Sequence, residues 1–292
     1  MLKVDLVQLE SWRALRSQLD DASSANRDAT LAKKARLTRR SVVEMIRLAG
    51  QGHIGGDFSV TDILTTLFAY VLRIDPAHPG GASQDRFVLS KGHCTASLYT
   101  TLAYSGYFPP SELSTFMAPL SALNGHPNRN KVPGVETNTG PLGHGLPFAV
   151  GQAIAAKLAN PGVRIFVVLG DGELQEGSNW EALMTASQYK LDNLVVVVDR
   201  NRLQQGARTE ETNALDPLDE RLAAFGGEVR IADGHNYSSL INAFRPAEAG
   251  KPVTVIANTV KGKGVSFMED RVEWHHKVPT ADQARLALEE LS

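Results

Sequence analysis

Two side chains that could bind a cation follow two successive apolar runs of the sequence. Asp171 stands in a Gly-Asp-Gly tripeptide after the run 164–169, and Asn201 follows the next run about thirty residues later. Carboxylate and amide oxygens are ligands that Mg²⁺ or Ca²⁺ prefers, and such an ion can bridge phosphates. Gly172 permits a tight turn and a close approach of backbone to a ligand. The pair therefore predicts a cation site for a phosphorylated molecule.

The same tripeptide is also typical of an ordinary turn after a strand, and taken alone it favours that simpler interpretation. Residues 164–169 and 193–198 both read as buried strands, with a helix predicted over 179–190 between them. Parallel strands of this kind end at one edge of a sheet, which would place Asp171 and Asn201 at neighbouring strand ends. The second strand and its terminal asparagine favour the cation site over the plain turn.

Alternating strands and helices predict the fold class. Further strands are predicted over 86–90, 228–231 and 253–258, and helices over 30–48, 57–71, 95–104, 141–158, 214–225 and 237–244. This order indicates right-handed crossovers and a three-layer α/β fold, in which a parallel sheet is covered by helices on both faces. Residues 1–28 read as a helical arm and residues 29–292 as one large domain.

Composition excludes several classes of partner. The 292 residues carry a formal net charge of −2, which gives no general attraction to nucleic acid or to an anionic membrane. Cys94 is the only cysteine, so no intrachain disulfide can form. The N-terminal residues lack the apolar core of a signal peptide, and no apolar run is long enough for a membrane span. We therefore expect a cytoplasmic protein that binds neither nucleic acid nor membrane.

Histidines beside glycines mark a second group of candidate residues. A single loop histidine is most often solvated or structurally satisfied. Four of them in a chain with a phosphate-type cation motif favour a polar cleft that handles hydroxyls and protons; they are His53, His93, His126 and His275. The turn 139–145 could direct N–H groups at an anion, although an ordinary helix start with proline explains it equally well.

The order and spacing of these segments resemble the N-terminal half of transketolase, over roughly residues 30–280. The matching stretches are Gly52-His53, Lys91-Gly92-His93, Gly125-His126-Pro127, residues 135–143, Gly170-Asp171-Gly172, Asp233-Gly234-His235 and residues 261–265. The resemblance implies a thiamine-diphosphate-binding fold that carries Mg²⁺, with Ca²⁺ or Mn²⁺ as alternatives. Two local departures are Arg200, where many members have a second asparagine, and His144, where glutamine is expected.

The same resemblance implies roles for individual residues. The metal would be bound by the side chains of Asp171 and Asn201 and by the main-chain carbonyl of Leu203. The cofactor would be contacted by His93, Gly140, Pro141, Leu142, Gly170, Gly172, Glu173, Asn201 and His275. Catalytic roles would fall to His53, His93, His126, His275 and Glu176, with Glu176 and Glu181 linking two active sites across a dimer. His276 stands beside His275, so the Trp-His spacing decides which of the two is assigned.

The chain stops at Ser292, whereas transketolases continue into a pyrimidine-binding domain that activates the cofactor. We therefore expect the N-terminal subunit of a split transketolase, which transfers a two-carbon ketol unit between sugar phosphates. A second subunit with the pyrimidine-binding and C-terminal domains would complete an α2β2 heterotetramer. The alternatives are the α subunit of a 2-oxo acid dehydrogenase, a relative of deoxyxylulose-phosphate synthase, and a non-catalytic cofactor-binding homologue.

Overall fold

Five parallel strands form one sheet in the computed structural model, which describes residues 2–292. The strands are β1 (Arg86–Leu89), β2 (Ile165–Gly170), β3 (Leu194–Arg200), β4 (Glu228–Asp233) and β5 (Val253–Asn258). Their order across the sheet is β1-β2-β3-β5-β4. The predicted α/β class with a parallel sheet is confirmed, and the five predicted strands are all present.

Helices occupy most of the remaining chain. They are α1 (Leu6–Asp21), α2 (Ser24–Ala49), α3 (Ile54–Thr66), α4 (Thr95–Tyr104), α5 (Gly145–Ala159), α6 (Gly177–Gln188), α7 (Thr209–Thr212), α8 (Leu218–Ala223), α9 (Tyr237–Ala243) and α10 (Ala281–Glu290). Short 3₁₀ turns lie at Pro110–Thr115, Gly172–Gln175 and Val272–Trp274, and a π-helical turn at Leu67–Val71 extends α3. From residue 2 to residue 292, no helix is both long and apolar enough to cross a membrane.

The central strands are apolar along their length because helices cover both faces of the sheet. On β2, Val167 belongs to a core shared with α5 and α6, whereas Phe166 belongs to a core shared with α2, α3 and α4. Neighbouring side chains of β3 divide in the same way between the two cores. The sheet is therefore the middle layer of three, and its carboxyl edge carries the loops that form the site.

Helix α5 begins at Gly145, four positions later than the sequence predicts. Residues 141–144 instead form a turn, because the N–H of Gly143 donates to the carboxylate of Glu173 at 2.9 Å. Gly143 has φ +83°, a left-handed conformation that is open to glycine. This turn contributes Leu142, together with Gly140 just before it, to the wall of the cavity at the carboxyl edge of the sheet.

The helix predicted over 214–225 is also shorter and comprises only α8. The backbone N–H groups of Leu215 and Asp216 donate to the carboxylate of Glu210, at 3.1 and 3.2 Å. A segment whose N–H groups are held by a side chain in this way follows a loop path instead of a helix. The apolar pattern of the sequence does not reveal this competition.

The N-terminal arm packs on the rest of the chain. The indole Nε1 of Trp12 donates to the carbonyl oxygen of Phe68 at 3.2 Å, and the Trp12 side chain is buried. Helix α2 begins after the cap residue Ser23 and runs across the predicted division between residues 28 and 29. It ends at Gly50, whose φ of +68° provides the predicted stop. The division into an arm and a domain stays a prediction.

Candidate active site

The register of the sheet brings Asp171 and Asn201 to the same place. Gly170 at the end of β2 pairs with Asp199 of β3, so the residues that follow leave the sheet side by side. The carboxylate of Asp171 accepts the N–H of Gly172 at 2.8 Å and the N–H of Arg202 at 2.6 Å. Both predicted ligands are nearly inaccessible, with Asp171 2% and Asn201 6% exposed. The predicted placement of the two residues at neighbouring strand ends is confirmed, and their role as ligands stays a prediction.

Arg200, one of the two local departures in the sequence, is accommodated at the end of β3 by three ion pairs. Its guanidinium is buried and lies 3.2 Å from Asp171, 2.6 Å from Glu210 and 3.0 Å from Asp216. Burial raises the pKa of Asp171, and the charge of Arg200 opposes that rise. The arginine therefore joins the candidate metal ligand to α7 and to the loop that follows it.

The oxygen atoms of the predicted metal site differ in charge. Asp171 supplies the carboxylate, Asn201 an amide oxygen and Leu203 a main-chain carbonyl. Throughout residues 2–292, no group of three or more His, Cys, Asp or Glu side chains is arranged to hold a metal ion. One carboxylate with two neutral oxygens is a partial ligand set of the kind that Mg²⁺ completes with water and substrate phosphates. The donor set thus fits a cation that arrives with a diphosphate.

A cavity of about 400 Å³ opens beside these residues. Most of the residues predicted for the site line it: His53, His93, Gly140, Leu142, Gly170, Asp171, Gly172, Glu173, Glu176, Asn201, Leu203 and His275. The structure therefore brings together segments from the ends of β1, β2 and β3 with the turn 140–145 and the segment after β5. The individual roles of these residues stay predictions.

Three predicted residues do not line the cavity. His126 lies just beyond its wall, because a Cβ atom built on Gly140 would be 3.4 Å from the His126 ring. Pro141 is exposed on the turn before α5, and Glu181 is exposed on α6. Of these, His126 packs against Gly140, which does line the cavity.

His53 is the centre of a cluster of imidazoles. Its ring centroid lies 5.0 Å from that of His93, 5.6 Å from that of His275 and 4.6 Å from that of His276. Burial, together with the neighbouring rings and lysines, lowers the pKa of His53 to about 4 and that of His275 to about 3. It lowers the pKa of His93 in the same direction. These rings are neutral at pH 7, so each can accept or donate a hydrogen bond.

Lys261 is a site residue that the sequence indicated only as part of the matching stretch 261–265. Its side chain is 1% exposed, and its Nζ donates to the carbonyl oxygen of Leu203 at 2.9 Å and to Nδ1 of His275 at 2.7 Å. Burial lowers its pKa to about 8, and the charge of Lys91 adds to that effect. Within the part of the chain that the structure describes, no carboxylate lies within 4 Å of this ammonium. A buried cation at a cavity wall calls for an anionic ligand.

Glu173 was predicted to contact the cofactor, and it lines the cavity. Its carboxylate also accepts from the hydroxyl of Ser90 and from the N–H groups of Gly143 and Gly170, the latter at 3.1 Å. These bonds join the ends of β1 and β2 to the turn before α5. Burial raises the pKa of Glu173, and the hydrogen bonds oppose the rise. The contacts present in the structure are internal ones, and the cofactor contact stays a prediction.

Comparison with known proteins gives a consistent match. Residues 30–291 match the family described as "Transketolase, thiamine diphosphate binding domain". The chain is 49% identical to one subunit of the apulose-4-phosphate transketolase of Actinobacillus succinogenes, covering 89% of this chain and 95% of that protein. Identity to the equally named protein of Phocaeicola vulgatus is 44%, covering 90% and 94%.

Solved structures extend the likeness to the fold. The transketolase structure from Campylobacter jejuni superposes with a TM-score of 0.83 at 31% identity. The match covers 89% of this chain but only 42% of that one. The chain thus has nearly the length of the two relatives that are named as transketolase subunits, and less than half the length of the C. jejuni transketolase.

Proposed function

The chain belongs to the transketolase family through its thiamine-diphosphate-binding domain, and we propose that it is the N-terminal subunit of a two-subunit transketolase. Such an enzyme moves a two-carbon ketol unit from a ketose phosphate to an aldose phosphate. One observation carries the proposal: the buried ammonium of Lys261 lies beside a cavity edged by Asp171, Asn201 and Leu203. A cation, hard oxygen ligands and neutral histidines in one cavity suit a metal-bound diphosphate.

The residues present would hold the cofactor from several sides. Asp171, Asn201 and the carbonyl of Leu203 would bind Mg²⁺, while Lys261 and His275 would contact the diphosphate. When bound, thiamine diphosphate supplies the carbanion chemistry that side chains lack. The glycines at 170 and 172 keep the cavity open: a Cβ on Gly170 would meet only Glu173, at 4.0 Å, and one on Gly172 would come 3.1 Å from Gln204.

The histidines would handle the substrate. His53 lines the cavity and His126 packs against Gly140 at its wall, and from these places they would contact sugar hydroxyls. A neutral imidazole can accept a proton from a hydroxyl and return it in a later step. The lowered pKa of His53 supports this role because it keeps the ring unprotonated at pH 7.

A partner chain would supply the rest of the active site. Two relatives of nearly the same length are named as subunits of a transketolase, and the chain covers 42% of the C. jejuni transketolase. We propose that the partner carries the pyrimidine-binding and C-terminal domains and that the complex is an α2β2 heterotetramer of the cytoplasm. Glu176 at the cavity edge and Glu181 on α6 would then face the dimer contact.

The substrate would be a phosphorylated ketose. Both relatives belong by name to an apulose-4-phosphate transketolase, which makes a branched-chain ketose phosphate the first donor to assay. Xylulose 5-phosphate and fructose 6-phosphate are the comparison donors, each with ribose 5-phosphate or glyceraldehyde 3-phosphate as acceptor. The donor with the highest kcat/KM identifies the substrate class.

The proposal is tested by assaying ketol transfer with this chain alone, with the co-expressed pair, and with the pair lacking Mg²⁺ or thiamine diphosphate. We expect activity only from the pair with both additions. Decarboxylation of a 2-oxo acid by the pair would support the dehydrogenase alternative. Cofactor binding without turnover of any donor would support the non-catalytic alternative. Full activity from the isolated chain would contradict the two-subunit proposal.

A further inference from the structure

Four buried polar groups form a continuous chain at the wall of the cavity, which Lys91 and Asn201 line. The Nζ of Lys91 lies 2.5 Å from Oδ2 of Asp199, and the hydroxyl of Ser59 lies 2.6 Å from the same oxygen. The side-chain amide of Asn201 lies 3.2 Å from the Ser59 hydroxyl. The exposed fraction is 2% for Lys91 and 0% for Ser59 and Asp199, so water does not compete for these bonds. Neither Ser59 nor Asp199 is among the candidate site residues that the sequence indicates.

The direction of each hydrogen bond follows from the number of protons available. Asp199 is paired with an ammonium and can only accept, so the single proton of Ser59 goes to it. The carbonyl of Gly56 also lies near the Ser59 hydroxyl, but at 3.1 Å and without charge it is the weaker acceptor. With its proton engaged, Ser59 can only accept from Asn201. The amide nitrogen of Asn201 must therefore face Ser59.

A second contact gives the same orientation. The backbone N–H of Leu203 donates to Oδ1 of Asn201 at 3.1 Å, and an amide nitrogen in that place would set two donors against each other. In the opposite rotamer the Asn201 oxygen would face the Ser59 hydroxyl, where it would either take the proton from Asp199 or set two oxygen lone pairs against each other. Both ends of the amide thus exclude the flipped form. The oxygen keeps one lone pair free beside Asp171 and the carbonyl of Leu203.

We propose that Ser59, Asp199 and Lys91 are positioning residues that fix the side-chain orientation of Asn201 and so present its oxygen to the bound cation. The three residues act through Asn201 and do not touch the cation themselves. Their hydrogen bonds also join α3, the loop after β1 and the end of β3. The loop after β1 includes His93, so this ring is fixed relative to Asn201 by the same contacts. This inference rests on the proposed function, because it concerns the cation that function requires.

Removing the Ser59 hydroxyl should release the amide without enlarging the site. In Ser59→Ala the amide nitrogen loses its acceptor and only the N–H of Leu203 still holds the amide, so part of the population turns its nitrogen toward the cation. Residues that orient a metal ligand typically contribute about 10- to 100-fold to metal affinity, and we expect a loss in this range. Ser59→Thr keeps the hydroxyl and should restore affinity. Thr66→Val is the matched control, since Thr66 is buried at the end of the same helix and its Oγ1 donates to the main-chain carbonyl of Asp62 and not to Asn201.

The experiment uses the full chain co-purified with its partner, with the complex saturated with thiamine diphosphate. Binding of Mn²⁺ is followed by the electron paramagnetic resonance signal of the free ion, and competition with Mg²⁺ gives the Mg²⁺ affinity. Thermal unfolding is measured on the same samples. A positioning role predicts weaker cation binding by Ser59→Ala with little change in Tm, and a substrate KM equal to wild type once Mg²⁺ is saturating.

The outcomes separate this inference from the function on which it rests. If the wild-type pair binds no cation with thiamine diphosphate, the proposed function itself fails. If wild type binds and Ser59→Ala binds equally well, only the positioning inference is overturned. An equal loss of affinity in Thr66→Val would likewise assign the effect to general destabilisation. Should Ser59→Ala not fold, the nearly isosteric Ser59→Cys replaces it, and unchanged cation affinity in that variant would overturn the inference too.

Discussion

The ammonium of Lys261 lies 2.9 Å from the carbonyl oxygen of Leu203, the one main-chain atom assigned to the cation site. Lysine and cation would therefore both lie next to the same diphosphate. Lys261 is buried and makes its other side-chain contact with a neutral histidine. The diphosphate would then be the group that balances its charge.

Replacing Lys261 by methionine should weaken thiamine diphosphate binding by about 10- to 100-fold, because a hydrogen bond to a charged group contributes about 1.5–3 kcal/mol. The measurement is a cofactor titration at saturating Mg²⁺. Lys263→Met is the control: it removes the same charge from the same loop, but Lys263 pairs with Glu269 at 3.3 Å. Equal effects of the two substitutions would show that the buried ammonium has no special role.

Asp171→Ala should abolish the Mg²⁺ dependence of cofactor binding, since the site loses its anionic oxygen. The cofactor is titrated with and without Mg²⁺, and wild type should bind more tightly with the ion. Asp233→Ala is the control, because Asp233 is an exposed acid at the carboxyl end of β4. Unchanged affinity and unchanged metal dependence in Asp171→Ala would contradict the assignment of the metal site.

His126→Ala should lower kcat by about 10²–10⁴ while leaving cofactor affinity near wild type. The reason is its place against Gly140, outside the set of residues that line the cavity. Steady-state kinetics and a cofactor titration separate the two effects. His78→Ala serves as control, since that ring is exposed and bonds to Asp75. If His126→Ala instead binds the cofactor more weakly and keeps the wild-type kcat at saturating cofactor, the predicted role of His126 is wrong.

Acidification should destabilise the chain through His53. Its pKa is lowered from 6.5 to about 4, so between these values the unfolded chain binds a proton that the folded chain excludes. The free energy of unfolding therefore has its full value above about pH 6.5, and it decreases as the pH falls from 6.5 toward 4. For a partly buried ring we expect a contribution on the order of 1 kcal/mol. The urea midpoint should fall less steeply from pH 7 through pH 6 to pH 5 in His53→Gln than in wild type. An equal fall in both proteins would show that His53 does not cause the loss of stability.

Glu173→Gln should lower the free energy of unfolding by about 1–3 kcal/mol, because an amide nitrogen cannot accept from the N–H groups that the carboxylate now holds. Those groups belong to Gly143 and Gly170. The measurement is urea unfolding at pH 7.5. Glu176→Gln, at an exposed neighbour, should stay within about 0.5 kcal/mol of wild type. If Glu173→Gln is equally mild, the turn before α5 does not depend on this carboxylate.

The local signals of the sequence predicted the sheet and the strand-end residues well. A valine-rich run, a Gly-Asp-Gly turn and a terminal Asn201 are each contiguous in sequence, and parallel pairing then brings the two ends together. The same logic accounts for the helix stop at Gly50. Where contiguous residues determine the secondary structure of a segment, the prediction from the sequence agrees with the observed structure.

Contacts between distant segments escaped prediction. Ser59 and Asn201 are 142 positions apart, and no property of a buried serine in an apolar helix marks it as a partner. The start of α5 was missed for the same reason, since it depends on the carboxylate of Glu173, which captures the N–H of Gly143 from 30 positions away. The shortened α8 has a local cause, because the carboxylate of Glu210 captures the N–H of Leu215 five positions later. Hydrogen bonds between distant segments appear only when the chain is assembled.

The strand order β1-β2-β3-β5-β4 has a consequence for the abundance of this protein in a cell. The cavity takes residues from the ends of β1, β2, β3 and β5, so a partly folded chain that lacks any of these pairings has no cofactor site. Cofactor binding therefore stabilises the finished fold alone, by mass action. When thiamine supply falls, more of the chain is unfolded and open to proteases, and the abundance of this protein should follow the vitamin available to the cell.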